Sequence, residues 1–331
     1  MKKTVSFTKN ATNVFFHILT KCNLKCQHCY INRKQHGENS LPIETIEAWL
    51  KLFSNKSDIA NVIFLGGEPT LHPELSTAVK TARKMGYKSI TIDTNGYLFH
   101  DILSKLTPDD VDFISFSLDG ATKETNDSIR GDGCFETCVK GIHEAKEKGF
   151  NTSLIYTVSG KNIHELEMMP QLLEKFQIKE FFIQVIGIRG NSAEEGSGSL
   201  QLSREQWQKI IPPVAQTVSK LGINVTYPKV FLEENDVFEC GGLVADNYFI
   251  FPNGRVYRCP LCEDFPIHAN CIKNDTLVET AKLNEDDFFQ LSIPEGCVMN
   301  KMVQPENLSY NKTGQPEYRI ACCLLKERIE K

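Results

Sequence analysis

No run of about 18 apolar residues occurs in this chain, so the sequence holds no candidate membrane span. The opening MKKTVSFTKN is basic, but no apolar core with a small-residue cleavage site follows it, and a secretory signal peptide is not expected. There is no low-complexity tract and no short internal repeat. Charge of one sign is also lacking: 37 Lys and Arg stand against 42 Asp and Glu, a net −5, which leaves no basic footprint for nucleic acid. Cysteine, by contrast, is plentiful, with 12 in 331 residues. At that density, without a secretion signal, cysteines favour metal or redox chemistry over a disulfide framework and place the protein in the cytoplasm. The 41% apolar content suffices for one large domain and a smaller one.

Short apolar runs alternate with segments of helical periodicity. VFFHIL (14–19), NVIFL (61–65), SITID (89–93), FISFSL (113–118), TSLIYTV (152–158) and EFFIQVI (180–186) read as strands. Between them, Ile43, Ile46, Leu50 and Phe53 repeat at helical spacing. So do Leu75, Ala78, Val79 and Ala82, then Phe135, Cys138, Ile142 and Ala145, then Leu166, Met169, Leu172 and Phe176. Six such units imply right-handed crossovers and a parallel sheet: an α/β fold, a partial (β/α)6 TIM-like barrel. CNLKCQHCY, GGEPT, TNGY, SLDG and GIRG each follow a strand. Sites of parallel α/β folds lie at those strand ends. The Gly/Ser/Glu-rich stretch 191–203 reads as a loop or boundary. Pro212 and Pro213 are expected to break or kink the helix that follows it. The expected division is a barrel over 1–200, a helical linker over 201–235 and a cysteine-rich unit over 236–331.

CNLKCQHCY sets Cys22, Cys26 and Cys29 three and then two residues apart. Three thiolates on one loop can hold three irons of a 4Fe–4S cube and leave the fourth open; a zinc site or buried thiols would also use them. The C-x3-C-x2-C spacing resembles that of the radical S-adenosylmethionine (SAM) enzymes. That resemblance implies SAM chelated at the open iron. It also implies that GGEP, Gly66 to Pro69, is the family's second signature, with Gly66 and Gly67 allowing close backbone approach and Glu68 facing the SAM amino group. His28 falls where the family carries an aromatic ring against adenine. Asn95 sits in a turn common in these enzymes, although Asn-Gly is a strong turn signal in itself. Ser117 is expected near the ribose or carboxylate of SAM and Arg130 on its carboxylate, with Asp119 organising the loop. Gly187 opens the sixth-strand motif that packs on adenine. Cys134 and Cys138 read as buried small hydrophobes.

Cys240, Cys259, Cys262, Cys271, Cys297, Cys322 and Cys323 remain. FIF, Pro-Asn-Gly and RVYRC read as a hairpin that brings Cys259 back toward Cys240. This is similar to the opening of SPASM or twitch domains, which carry auxiliary 4Fe–4S clusters. The chain lacks the run of four close cysteines that a full SPASM domain has next. The resemblance therefore implies one auxiliary cluster on Cys240, Cys259, Cys297 and either Cys322 or Cys323. Cys262 and Cys271 are extras, and CPLC would also suit structural zinc.

The expected activity is reductive cleavage of SAM to a 5′-deoxyadenosyl radical that abstracts hydrogen from a peptide or small molecule, with a flavodoxin- or ferredoxin-type reductant. About 13 residues precede the first expected strand, which tilts the reading toward a small molecule or a peptide presented by a partner. The alternative is an iron–sulfur or zinc protein acting in electron transfer or partner binding without SAM cleavage.

Overall fold

The computed structural model describes residues 1–193 and 200–330. Residues 194–199, inside the stretch read above as a loop or boundary, lie outside the described residues. The strands are β1 (Lys2–Val5), β2 (Ala11–His17), β3 (Ile59–Leu65), β4 (Ser89–Thr94), β5 (Phe113–Ser117), β6 (Thr152–Val158), β7 (Glu180–Val185), β8 (Asn224–Pro228), β9 (Asp246–Ile250), β10 (Arg255–Tyr257), β11 (Asn270–Lys273), β12 (Thr276–Glu279) and β13 (Lys326–Ile329). They form one open sheet in the order β1-β13-β8-β7-β6-β5-β4-β3-β2-β9-β10-β11-β12. From β2 to β8 every neighbouring pair is parallel. The six expected strands are there, in an α/β fold whose barrel does not close.

Helices cover the outer face. Ile43–Ser54, Leu75–Lys84 and Cys134–Glu147 coincide with the expected periodic segments. Leu50, Phe53, Ala78, Val79, Ile142 and Ala145 join Val62, Phe64, Ile90, Ile92, Ile114 and Phe116 in one core. Side chains alternate across a strand, so the other residues of each strand face inward. At the N-terminal end of the inner face, Asn61 Nδ2 donates to Asn13 Oδ1 (3.0 Å) and Asn13 Nδ2 to Asn247 Oδ1 (2.9 Å). Asp93, Ser115, Ser153 and Glu180 lie side by side in register, a row that runs from near the end of β4 to the start of β7.

Two expectations change beyond residue 200. Within the expected helical linker, the helix Arg204–Lys220 leads into β8, which pairs in parallel with β7 and lengthens the sheet. That helix runs through Pro212 and Pro213. Trp207, Ile211, Val214, Ala215 and Val218 all bury on one side of it, and this packing outweighs the hydrogen bonds that the prolines cannot make.

The cysteine-rich unit adds strands at both edges of the same sheet. β9 lies parallel to β2, from Thr12 opposite Asp246 to Phe16 opposite Ile250. β13 pairs antiparallel with β8 and β1. β9 and β10 form the expected hairpin, Val256 opposite Ile250. Gly254 turns it with φ +82°, and a Cβ there would lie 2.9 Å from the Ile272 carbonyl oxygen. A second core gathers Phe249, Phe251, Tyr257, Phe289 and Met299 with Cys259, Cys262 and Cys297.

Candidate functional site

The Cys22–Cys29 loop leaves the C-terminal end of β2, and its course is set by backbone pairing with the segment after β3. Gly67 N–H donates to Leu19 C=O and Glu68 N–H to Lys21 C=O, both at 3.0 Å. This contact requires glycine, because a Cβ on Gly67 would lie 2.3 Å from the Lys21 oxygen and one on Gly66 2.8 Å from that of Leu19. The close approach that these glycines allow is therefore to the cluster loop's own backbone.

Glu68 is buried and faces protein donors. Its Oε1 accepts from Thr70 N–H (3.0 Å), Thr70 Oγ1 (2.6 Å) and Thr94 Oγ1 (2.9 Å), and its Oε2 from Asn95 N–H (2.8 Å). The carboxylate thereby ties the GGEP turn to the TNGY turn. Pro69 opens the short 3-10 turn Pro69–Leu71 that Glu68 caps. Asn95 passes the link back to the cysteine loop, with Nδ2 donating to Asn23 Oδ1 (2.8 Å) and lying 3.9 Å from Cys22 Sγ.

Asp119 is the second hub. Its Oδ2 lies 2.6 Å from Arg130 Nη2 and 3.1 Å from His28 Nε2, and its Oδ1 accepts from Thr157 N–H at 2.7 Å. Arg130 and His28, expected on SAM, are thereby paired to a buried carboxylate. Each still holds a buried nitrogen without a protein partner, Arg130 Nε and His28 Nδ1. Burial alone would push Asp119 up; the Arg130 guanidinium and the His28 ring hold it down at about 2. Ser117 ends β5 half-buried on the inner face, opposite Ile155.

The three thiols are partly exposed. Burial pushes Cys22 up to about 11 and Cys26 to about 12, against the pull of Arg130 on both. Cys29 is also raised by burial, while Arg130 and Arg189 draw it down. Such thiols hold their protons in water and give them up to a metal. Among the described residues no three His, Cys, Asp or Glu side chains close on a point that one ion would occupy. A cube asks for no such convergence, since its thiolates bind separate irons.

After β7, Gly190 (φ +55°) lies so close to the loop that a Cβ would fall 2.4 Å from the Cys29 oxygen, while one on Gly187 would meet nothing nearer than Arg189 Nε at 3.4 Å. The fold needs glycine at 190; at 187 it leaves room.

The second cysteine cluster lines an apolar cavity. Cys240, Cys259, Cys297, Cys322 and Cys323 surround it together with Phe238, Phe288, Phe289, Leu291, Val298 and Met299. Cys240 and Cys297 each precede a helical turn, Gly241–Val244 and Val298–Val303. Gly241 N–H donates to Cys322 Sγ at 3.3 Å. Cys262 is buried beside Cys259 but does not line the cavity, and Cys271 lies on β11 opposite Val278, outside it. Cys134 and Cys138 are both buried.

Sequence reasoning assigns no role to three further residues. Asp93 is the one acid of β4, at a position of inward parity. Burial pushes its carboxyl up to about 7, helped by the nearby Glu68 carboxylate, and the Ser115 hydroxyl pulls the other way. Arg189, inside GIRG, and Glu263, directly after CPLC, form an ion pair at 2.5 Å.

Residues 17–173 match the Radical SAM superfamily. The chain is 33% identical over 198 residues to the Fe-coproporphyrin III synthase of Methanosarcina barkeri, covering 58% of this chain and 49% of that protein. It is 29% identical over 163 residues to a probable GTP 3′,8-cyclase of Saccharolobus islandicus, covering 49% of this chain and 53% of that protein. The chain spans about half the length of these curated relatives. Its fold is similar to that of Streptococcus suis SuiB bound to S-adenosylmethionine, with TM-score 0.68 and 15% identity over 93% of this chain and 77% of that one. It is also similar to anSMEcpe with bound AdoMet, with TM-score 0.61 and 18% identity over 80% and 78%. At these identities the likeness is one of fold.

The depressed Asp119 carboxyl predicts a specific acid sensitivity. A folded-state value below the ordinary one of about 3.9 stabilises fully above about pH 4 and is lost as pH falls through about 2. Its contribution is roughly 2 kcal/mol. Asp119→Asn should remove that acid-dependent part. It should also cost about 3–5 kcal/mol at neutral pH, because Arg130 is left buried without its counter-charge. Urea unfolding of both proteins at pH 7 and pH 3 checks this, and an unchanged acid sensitivity in the variant would refute it.

Proposed function

We propose, from the match of residues 17–173 to the Radical SAM superfamily, that this protein binds a 4Fe–4S cluster on Cys22, Cys26 and Cys29 and uses it with SAM to modify a small molecule or a peptide. When bound, these cofactors supply a 5′-deoxyadenosyl radical that takes hydrogen from an unreactive carbon of the substrate, with the electron drawn from a flavodoxin- or ferredoxin-type reductant. The observation that carries this reading is the fixing of the three-cysteine loop at the strand ends by GGEP, TNGY and GIRG together.

The chain's own residues bind, orient and exclude. Asn95 and Asn191 hold the cysteine loop, the latter through Cys29 C=O (2.8 Å) and Cys26 C=O (2.9 Å). Arg130, pinned by Asp119, has its buried Nε free for the SAM carboxylate, and His28 likewise has Nδ1 free for the adenosyl part. Ser117 at the end of β5 is suited to the ribose. Gly187, just past β7, is the candidate for the face of adenine. Glu68 Oε2 takes one donor from Asn95 N–H and has a further lone pair to offer a SAM ammonium beside the Gly66–Pro69 backbone.

Cys240, Cys259, Cys297 and Cys322, with Cys323 beside them, are suited to one auxiliary cluster in a water-poor cavity, where it would take an electron from the substrate radical. Asp93 is the candidate acid–base group. It faces inward near the site, has no counter-cation among the described residues, and titrates close to neutrality, the range in which proton transfer is most efficient. The names of the two curated relatives, a coproporphyrin synthase and a GTP cyclase, favour a small molecule over a peptide.

Anaerobic reconstitution with iron and sulfide, followed by SAM and a strong reductant, should yield 5′-deoxyadenosine. Cys26→Ala should abolish it, and a wild type that holds its cluster yet makes none would sink the proposal. The variant lacking Cys22, Cys26 and Cys29 should retain iron and sulfide on the second cluster; zinc in their place would make that site structural. With a substrate in hand, Asp93→Asn should lower substrate turnover about 100-fold. It should also lower the product formed per 5′-deoxyadenosine, whereas an unchanged ratio would exclude Asp93 from proton transfer.

A further inference from the structure

The segment directly after Cys259 is fastened to the first cysteine loop by charged and aromatic groups for which neither cluster's ligation accounts. Arg189 lies between them. Its Nη1 donates to Glu263 Oε2 at 2.5 Å and to the Pro260 carbonyl oxygen, and its guanidinium sits 4.7 Å from the centre of the Tyr30 ring. Tyr30 follows Cys29 directly. The pair is removed from water, with Arg189 15% and Glu263 2% exposed.

The two residues after Arg189 also reach these two segments. Gly190 N–H donates to Asp264 Oδ2 (3.1 Å), and Asp264 Oδ1 accepts from Asn32 Nδ2 (3.2 Å). Asn191 holds the carbonyls of Cys26 and Cys29.

Aromatic rings complete the fastening and fix its proton arrangement. His17 Nδ1 lies 3.0 Å from Ile250 C=O and so must carry the hydrogen, which leaves Nε2 to accept from the Tyr30 hydroxyl at 2.6 Å. His17 and His36 stack on opposite sides of Phe251, at 4.0 and 3.8 Å. His36 Nε2 donates to the Glu263 carbonyl (3.0 Å), since its Nδ1 accepts from Asn32 N–H. Tyr30 is thereby held at its hydroxyl, and Arg189 lies over its ring.

An iron–sulfur cluster's potential follows the charge and hydrogen bonding around its sulfurs. In a site of low dielectric a single fixed cation matters. Arg189 lies over the ring of Tyr30, the residue next to Cys29, in the segment whose Asn191 holds the Cys26 and Cys29 carbonyls, and Glu263 is what holds Arg189 in place. We infer that Arg189 and Glu263 are positioning residues that set the potential of the cluster on Cys22, Cys26 and Cys29, and that through them the auxiliary cysteine segment is coupled to it. This rests on the radical SAM reading above. Reduction adds a negative charge, which Arg189 stabilises and Glu263 opposes.

The test is a redox titration of the reconstituted holoenzyme followed by electron paramagnetic resonance, using the signal that changes on adding SAM to identify the first cluster. Glu263→Gln should move its midpoint to higher potential and Arg189→Met to lower potential, while Arg189→Lys and Glu263→Asp should stay near wild type. Loss of the first cluster's iron in Glu263→Gln with unchanged circular dichroism, restored in Glu263→Asp, would report the same coupling as occupancy. Shifts of one sign in both charge-removing variants, or none, at full cluster content would overturn the inference. A wild-type signal indifferent to SAM would overturn the underlying reading and this one with it. A SAM-responsive wild type with unshifted variants would overturn this one alone.

Discussion

Two backbone hydrogen bonds, from Gly67 to Leu19 and from Glu68 to Lys21, decide where the first cysteine stands. They prolong the pairing of β2 with β3 past the ends of both strands, so that Cys22 leaves the sheet at a set height and direction. Only glycine permits this, because any side chain at 67 would occupy the space of the Lys21 carbonyl. The carboxylate of the next residue then turns inward and takes four donors from Thr70, Thr94 and Asn95. Burial would push Glu68 toward its protonated form, and the hydrogen bonds to its oxygens oppose that. Asn95 closes the ring by returning to Asn23 and Cys22. Three strand ends are thereby locked to one another by short-range polar contacts.

Asp119 does the same for the fourth and fifth strand ends. It joins Thr157 at the end of β6 to His28 in the cysteine loop and Arg130 at the end of the helix Lys123–Arg130. A buried ion pair of this kind is weak evidence for stability, because desolvation offsets much of its attraction. Its value here is positional. Arg130 is fixed with one nitrogen unspent, and His28 is held between the cysteine loop and the carboxylate. A ligand that met those two nitrogens would find them already oriented, without the entropic cost of ordering them on binding.

The sequence made much of this legible, and what stayed hidden has physical causes. Strand and helix positions followed from periodicity because the outer face of each strand and the inner face of each helix are apolar. β1 escaped because all four of its residues are exposed and so carry no alternation. β8 escaped because five residues after a long helix resemble a linker until their partner β7 is known. The motifs told which residues gather at the rim but not which way they turn. Glu68, Arg130 and His28 were assigned to a ligand. Their protein partners come from other strand ends, such as Thr94 and Asn95, 26 and 27 residues from Glu68, and separation of that kind is invisible to local spacing. Asp93 is the converse case: Ser89, Thr91 and Asp93 share the inward parity of β4, and Asp93 is the ionisable one among them.

The sheet also accounts for the nearness of the two cysteine groups, which stand more than 200 residues apart in sequence. β9 lies beside β2 in parallel, so the hairpin that delivers Cys259 starts from the same edge as the loop that delivers Cys22. Parallel pairing makes both chains leave the sheet at the same end. The chain after β2 carries Cys29 and Tyr30, while the turn after β9 carries Phe251 and, beyond β10, Glu263. Phe15 stacked on Phe249 at 4.4 Å and His17 stacked on Phe251 at 4.0 Å repeat the register in their side chains. A β9 shifted by one residue would turn Phe249 to the opposite face and carry Phe251 out from between the two histidines. The contact between the cysteine segments is therefore a consequence of strand register, and the Arg189–Glu263 pair forms where that register brings the two segments together.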